Sequence, residues 1–199
     1  MSARLYLASA SPRRKDLLQQ IGVVPDQIIV ANIEETPLKG ELVDKMTQRL
    51  AILKAEEVAK QIEDGYVIAA DTAIEIGRKT LGKAENEEDV ARMIERLSGR
   101  KHRVYTSVVV ALVRDHKIIK SAIKTSKTTI TLKRLSKSDL DSYIKSGHGI
   151  GREGGFNIQG MVECFVKSIN GSYSGIVGLP LYETNNLLIS LGYKKNTLS

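Results

Sequence analysis

Residues 102–132 constrain this chain more than any other stretch. HRVYTSVVVALV and KIIKSAIKTSKTTITL are long runs rich in Val, Ile and Thr, separated only by Arg114, Asp115 and His116. That is the pattern of two long antiparallel strands joined by a tight turn. Such a hairpin forms the spine of a sheet, and the rest of the chain has to be built around it.

The preceding residues supply α/β units. RLYLA reads as a buried strand, RKDLLQQIG as a short helix stopped by Gly22, and QIIVA as a second strand. Met46, Leu50, Leu53, Val58 and Ile62 recur at helical spacing between Asp44 and Asp64, and YVIAAD follows as a third strand. AIEIGRKTLGK predicts a hairpin around Gly77 and Arg78, and NEEDVARMIERL an amphipathic helix ended by Ser98-Gly99. After the long hairpin, Ser136 to Ser146 predicts a helix with Ser136 as N-cap and Asp139 completing a capping box, and LPLYETNNLLISLG a terminal helix. A plain doubly wound sheet fits this order poorly. The order predicts an α/β (mixed α+β) protein: one domain over residues 1–199, with an elongated mixed sheet flanked by helices and two lobes around a central cleft.

At 199 residues, 42% of them hydrophobic and 27% charged, the chain can bury a substantial core. No apolar run approaches the roughly 18 residues of a membrane span. The apolar residues of MSARLYLASA are those of the first strand, so no signal peptide is read there. The cytoplasm is the expected compartment, with no membrane partner. The single cysteine, Cys164, excludes an intramolecular disulfide and a cysteine-rich zinc site, and VECFV reads as a packed apolar segment. The net charge of +7 is uneven, with eight Lys and Arg from Arg114 to Lys137 against the single acid Asp115. That favours anionic partners. Two Phe, no Trp and no zinc-finger or RNP-type motif argue against nucleic-acid binding, so a nucleotide is favoured over a polymer.

LASASPRRKD carries the first functional signal. Arg13, Arg14 and Lys15 stand in the first turn of a helix, where the macrodipole favours acids. A phosphate held by the helix N-terminus, the hydroxyls of Ser9 and Ser11 and a guanidinium compensates them. Lys54 falls between Leu50 and Val58 on the inward face of its helix. A cation there needs a partner such as Glu57, or an anion-filled cleft. Lys83, in LGKAE, repeats the pattern at a strand-to-helix junction.

Asp71 and Thr72 follow the apolar run YVIAA, and strand carboxyl ends in α/β sheets open into the ligand crevice. Asp71 is a catalytic candidate, with a turn or N-cap aspartate as the alternative. Glu34 and Glu35 offer adjacent carboxylates, the donors that Mg²⁺ or Mn²⁺ takes when phosphates complete its shell; alone they also read as surface acids. His102 has no partner at ligand spacing and reads as a structural, hydrogen-bonded histidine. GIGREGGFNIQG packs glycines around Gln159, so that a flat ligand can approach backbone while the amide offers donor and acceptor. A flexible surface loop is the alternative reading.

Seven stretches occur in one order: LASASPRRKDLL, EETPL, RLAILKAE, AADTAIEI, LGKAENEEDVARMIERLSGRKHRVYTSVVV, GGFNIQG and GSYSGIVGLPLYET. In wording and spacing the chain resembles the Maf-like nucleotide pyrophosphatases nearly end to end. The resemblance implies a fold similar to that of the inosine-triphosphate pyrophosphatases. It implies hydrolysis of a nucleoside triphosphate to the monophosphate and pyrophosphate, with a divalent cation, Mg²⁺ or Mn²⁺. By position, Asp71 resembles the general base, Ser9, Arg13, Lys54 and Lys83 the phosphate ligands, and Glu35 with Asp71 the metal ligands. Arg13, Thr72 and Gln159 match the branch that hydrolyses dTTP and UTP; the 7-methyl-GTP branch carries Trp, Gln and Glu at those positions. A homodimer is left open.

Two departures stand out. The family has Asp-Glu where this chain has Glu34-Glu35, which leaves open whether Glu34 reaches a metal or leaves that duty to Glu35. It has Lys-Ala-Gly-Ala-Tyr-Gly where this chain has Arg152-Glu153-Gly154-Gly155-Phe156-Asn157, which places an acid beside the phosphate-side cation. The competing readings are a 7-methyl-GTP or inosine-type pyrophosphatase and, in another class, a nucleic-acid or cell-division regulatory binding module.

Overall fold

The computed structural model describes residues 3–194; residues 1–2 and 195–199, the ends of the expected domain, lie outside it. The elements in chain order are β1 (Leu5–Leu7), α1 (Pro12–Gln20), β2 (Gln27–Ile28), α2 (Val43–Ala59), β3 (Gly65–Ile76), β4 (Lys79–Leu81) and α3 (Glu87–Leu97). There follow β5 (Lys101–Arg114), β6 (Lys117–Leu132), α4 (Lys137–Lys145), β7 (Val166–Asn170), α5 (Tyr173–Val177) and α6 (Leu181–Ser190), with a 3-10 turn over Met161–Phe165 before β7. The strands form one mixed sheet in the order β2-β1-β3-β5-β6-β7, with β4 added beside β3.

The long hairpin is the spine that the sequence predicts. β5 and β6 pair from Lys101↔Thr131 to Arg114↔Lys117. Their turn is tighter than the three residues expected: Asp115 and His116 alone occupy it, both at positive φ (48° and 59°). A two-residue turn with both centres left-handed matches the right-handed twist of the flanking strands. The same device, Gly77 and Arg78 at φ 57° and 62°, joins β3 to β4. At α4 the capping box forms as predicted: Asp139 N donates to Ser136 Oγ at 3.1 Å and Ser136 N to Asp139 Oδ2 at 2.9 Å. Such a cap is worth about 1 kcal/mol.

Three expectations change. YVIAAD does not end a strand. β3 runs for 12 residues from Gly65 through Asp71 to Ile76, because β5 pairs with it along its whole length, including Asp71↔Ser107 and Thr72↔Thr106. Asp71 is therefore a mid-strand residue. QIIVA contributes only Gln27–Ile28, since β1 has already turned toward α1 and offers Val30 and Ala31 no partner. In VECFV, Val162 and Phe165 are buried but Cys164 is exposed.

The pairing of β3 positions the site. With β5 occupying one edge, β1 and β4 must share the other: β1 pairs with Leu5↔Tyr66 to Leu7↔Ile68, and β4 with Ile74↔Leu81 to Ile76↔Lys79. Residues 69–73 are left with no strand on that edge, and the sheet opens there. Side chains alternate across this gap. Val67 and Ala69 pack in the core under α2 with Ala51, Ala55 and Val58, whereas Ile68, Ala70 and Ile74 join the larger core with α1, α3 and α6. Among the described residues no helix is long and apolar enough to cross a membrane.

Candidate active site

A cleft of about 240 Å³ lies over the open edge of β3. By strand alternation Asp71 points to the α2 face and Thr72 to the opposite one, so two adjacent residues serve the two walls. All the site residues expected from the sequence line it: Ser9, Arg13, Glu35, Lys54, Asp71, Thr72, Lys83 and Gln159.

On the α2 wall Lys54 is the hub. Its helix buries Leu50, Ala51, Ala55 and Val58 against the sheet and carries Lys54 inward with them. Lys54 Nζ lies 2.7 Å from Asp71 Oδ1 and 2.8 Å from Glu35 Oε1. Burial raises the Asp71 carboxyl above its ordinary value, against the pull of Lys54 and Arg14. Burial also pushes Glu35 up, but the hydrogen bond and charge of Lys54, with Lys83 and Arg14, outweigh it and hold that carboxyl below the usual range. Glu57, the alternative partner for Lys54, bonds to Lys60 instead.

Glu35 rides on a segment without regular structure, residues 29–42, pinned by Arg49. Arg49 grips both carboxylate oxygens of Glu41 at 2.7 Å and donates to Thr36 O at 3.2 Å. Glu34 accepts from the backbone N and hydroxyl of Thr36 and is not part of the cleft lining. Two carboxylates thus meet at one ammonium. Mg²⁺ commonly takes only one or two carboxylates and completes its shell with phosphates and water. The donor set of Glu35 and Asp71 fits that demand, although no cluster of three or more His, Cys, Asp or Glu exists among the described residues.

On the opposite wall the structure brings in residues that the sequence reading did not select. Arg14 donates from Nε to Gly178 O at 2.8 Å, from Nη1 to Ser9 Oγ at 2.9 Å and, at a long 3.4 Å, from Nη2 to Thr72 Oγ1. Burial lowers its pKa while Asp71, Glu35 and Glu153 oppose the shift. Thr106 Oγ1 lies 3.1 Å from Thr72 Oγ1 and donates to Gly175 O at 2.7 Å. Gly178 ends α5 at φ +127°, a backbone conformation that favours glycine; a Cβ there would make only ordinary contacts, 3.5 Å from Arg14 Nε and 3.7 Å from Thr72 Oγ1. The signal in the sequence was GIVGLP, a glycine directly after a short helix.

Arg13 lines the cleft half-buried and makes no hydrogen bond among the described residues. α1 begins with Pro12, which has no N–H, and has no side-chain cap at its start; Ser11 N donates to Ser9 Oγ at 3.2 Å and Arg14 N to Ser11 O at 3.2 Å, so Arg13 N–H is the first-turn donor left over. His102 corrects the expectation of a hydrogen-bonded residue. It is buried, both ring nitrogens lack a partner, and it sits edge-on to Phe156 with centroids 5.2 Å apart. Burial pushes it down to about 4.

The third wall is the loop 151–159, laced to the link between β4 and α3. Gly151 N donates to Ala84 O (2.8 Å), Ala84 N to Arg152 O (3.0 Å) and Gly154 N to Gly82 O (2.8 Å). The loop carries Arg152, Glu153, Phe156 and, exposed at the cleft, Gln159. With Arg13, Arg14, Lys54, Lys83 and Arg152 against Glu35, Asp71 and Glu153, cations outnumber acids around the cleft, which suits a polyanionic ligand.

Residues 4–191 match the family model described as Maf-like protein. The chain is 46% identical over 189 residues to the nucleoside triphosphate pyrophosphatase of Orientia tsutsugamushi (strain Boryong), covering 95% of this chain and 92% of that one. It is 46% identical over 190 residues to the dTTP/UTP pyrophosphatase of Caulobacter vibrioides, covering 96% of both. A HAM1 protein from Coxiella burnetii superposes with a TM-score of 0.51 at 17% identity over 94% of this chain and 99% of the other, a likeness of fold.

Proposed function

Because the chain belongs to the Maf-like protein family, we propose that it hydrolyses nucleoside triphosphates, dTTP and UTP foremost, to the monophosphate and pyrophosphate. The observation that carries this reading is the Glu35–Lys54–Asp71 cluster at the open edge of β3, ringed by cations on the other walls. The cytoplasm, where such substrates are held, is part of the proposal.

The triphosphate lies along the cations. Ser9, Arg13, Lys54 and Lys83 take the phosphate oxygens, and Arg14 holds Ser9 and Thr72 in place. Asp71 uses Oδ1 for Lys54, and Oδ2 has no hydrogen bond among the described residues; that oxygen takes the proton from the water attacking the α-phosphorus. Its raised pKa makes it a better base than an exposed aspartate, provided it is ionised. Glu35 and Asp71 would hold a divalent cation, which when bound would supply Lewis-acid polarisation of a phosphoryl oxygen. Lys54 keeps the two carboxylates together and neutralises charge that develops on the departing pyrophosphate.

Gln159, Thr72 and Arg13 set the base preference. The amide of Gln159 answers the imide edge of thymine or uracil, which offers one N–H between two carbonyls. Edge recognition of that kind also admits 5-modified pyrimidine triphosphates such as 5-methyl-UTP. The test is pyrophosphate release from a panel of canonical, methylated and inosine-type triphosphates with Mg²⁺ or Mn²⁺. The highest kcat/KM is expected for dTTP and UTP; a higher value for 7-methyl-GTP than for both sinks the substrate assignment.

A further inference from the structure

Glu153 and Lys83 form an isolated antiparallel bridge. The flanking bonds, Gly154 N to Gly82 O and Ala84 N to Arg152 O, define it as the non-hydrogen-bonded kind. Paired residues there have Cα atoms about 4.5 Å apart and side chains projecting to the same face. Both residues line the cleft. Yet they form no ion pair, and Glu153 makes no side-chain hydrogen bond among the described residues. The two side chains stand side by side on the cleft wall without closing on each other, which leaves both to act on what enters. Among the described residues Glu153 does not join Glu35 and Asp71 in a three-carboxylate cation cage.

We propose that Glu153 is a second catalytic residue of this chain, the general acid that protonates the pyrophosphate leaving group beside Lys83. The inference rests on the hydrolytic reading above. Water attacks the α-phosphorus and its proton passes to Asp71. The bond from the α-phosphorus to the bridging oxygen breaks, the electron pair stays on that oxygen, and the Glu153 carboxyl gives it a proton. The products are the monophosphate and pyrophosphate, with Asp71 protonated and Glu153 ionised until exchange with solvent restores both.

The surroundings of Glu153 suit the role. Burial pushes its carboxyl up to about 7; Asp71 on β3 and Glu35 on the segment before α2 add to the rise, and Lys83 and Lys54 oppose it. Arg13 and Arg14 on α1 and Arg152 on the same loop are the remaining cations of the cleft. Two carboxyl groups in one cleft, one poised to accept and one to give a proton, divide the labour of acid and base.

The test compares wild type with E153Q and E153D on dTTP across pH. Wild-type kcat/KM is expected to fall as pH rises through about 7, because the protonated form is the active one. E153Q is expected to lose about 10²-fold in kcat, to keep KM within a few-fold and to lose that alkaline limb, while E153D recovers part of kcat and the limb. Affinity for α,β-methylene-dTTP checks that each variant is folded. On thymidine 5′-(2,4-dinitrophenyl phosphate), whose leaving phenolate needs no proton, E153Q is expected to match wild type. An equal loss on both substrates, or an E153Q with wild-type kcat on dTTP, overturns the proposal. A wild-type chain that releases no pyrophosphate from any triphosphate overturns the hydrolytic reading itself, a distinct result.

Discussion

Arg14 and Gly178, 164 positions apart, are joined by a 2.8 Å hydrogen bond from Nε to the carbonyl. That bond ties the first turn of α1 to the end of α5 across the cleft, and the remaining nitrogens of the same guanidinium hold Ser9 and Thr72. Arg14→Ala removes all three at once. It should raise KM for dTTP and lower kcat by a larger factor than Arg13→Ala does. Arg14→Lys should not restore activity, because one ammonium cannot reproduce a planar fork with three separate acceptors. Steady-state kinetics of the three variants decide the order; equal effects of R13A and R14A would remove Arg14 from its special place.

Lys54 bridges two carboxylates that would otherwise repel each other, 2.7 Å from Asp71 Oδ1 and 2.8 Å from Glu35 Oε1. In Lys54→Met the hydrogen bond and the charge that restrain Asp71 are lost, while burial and Glu35 still push its carboxyl up. Asp71 must be ionised to act as base, so activity requires a pH above its pKa, and the acid limb of kcat/KM should move to higher pH in K54M. Asp71→Asn should abolish turnover at every pH and leave binding of α,β-methylene-dTTP largely intact. A K54M limb that stays in place, or a D71N with near wild-type kcat, contradicts the assignment.

How much of this was legible in the sequence follows the range of the forces involved. The Ser136–Asp139 capping box, the long hairpin and the inward turn of Lys54 depend on neighbours a few residues away, and each is read directly from spacing. The choice between Arg13 and Arg14 is not local. Successive helical residues point about 100° apart, and which one faces inward depends on how α1 docks against Gly178, far along the chain. Likewise YVIAAD looks finished at Asp71; only pairing with β5, more than thirty residues later, carries the strand onward. The open edge at residues 69–73 follows from where β1 stops and β4 begins, and no pattern within β3 announces it.

His102 predicts an acid-sensitive fold. Its ordinary pKa of 6.5 falls to about 4 in the folded protein because burial disfavours the imidazolium. The unfolded chain therefore binds the proton first. Stability is complete above about 6.5 and is lost as pH falls toward about 4, by about 3 kcal/mol at 1.36 kcal/mol per pH unit. His102→Phe removes two buried nitrogens that have no partner, a change that is near neutral or stabilising when the shape is kept. Melting temperatures of wild type and H102F across that range should converge near neutral pH and separate in acid, with the variant higher. Parallel curves would show that another group controls acid unfolding.

Base choice can be tested at Gln159, which lines the cleft from its exposed side. Gln159→Glu keeps an acceptor for the imide N–H but replaces the donor with a carboxylate facing a carbonyl. An unmade hydrogen bond of that kind costs about 1–3 kcal/mol, so kcat/KM for dTTP and UTP should fall about 10- to 100-fold. The same variant should gain little on 7-methyl-GTP, for a structural reason. Thr72 is locked between Arg14 Nη2 at 3.4 Å and Thr106 Oγ1 at 3.1 Å, and Arg13 still occupies the wall where a methylated purine needs an aromatic face to stack on. Only Q159E combined with R13W should bring 7-methyl-GTP turnover above background, and adding T72Q should cost activity on every substrate by releasing Arg14. Comparing kcat/KM for dTTP, UTP and 7-methyl-GTP across the single, double and triple variants tests each step. A Q159E enzyme with unchanged pyrimidine turnover would take Gln159 out of base recognition altogether.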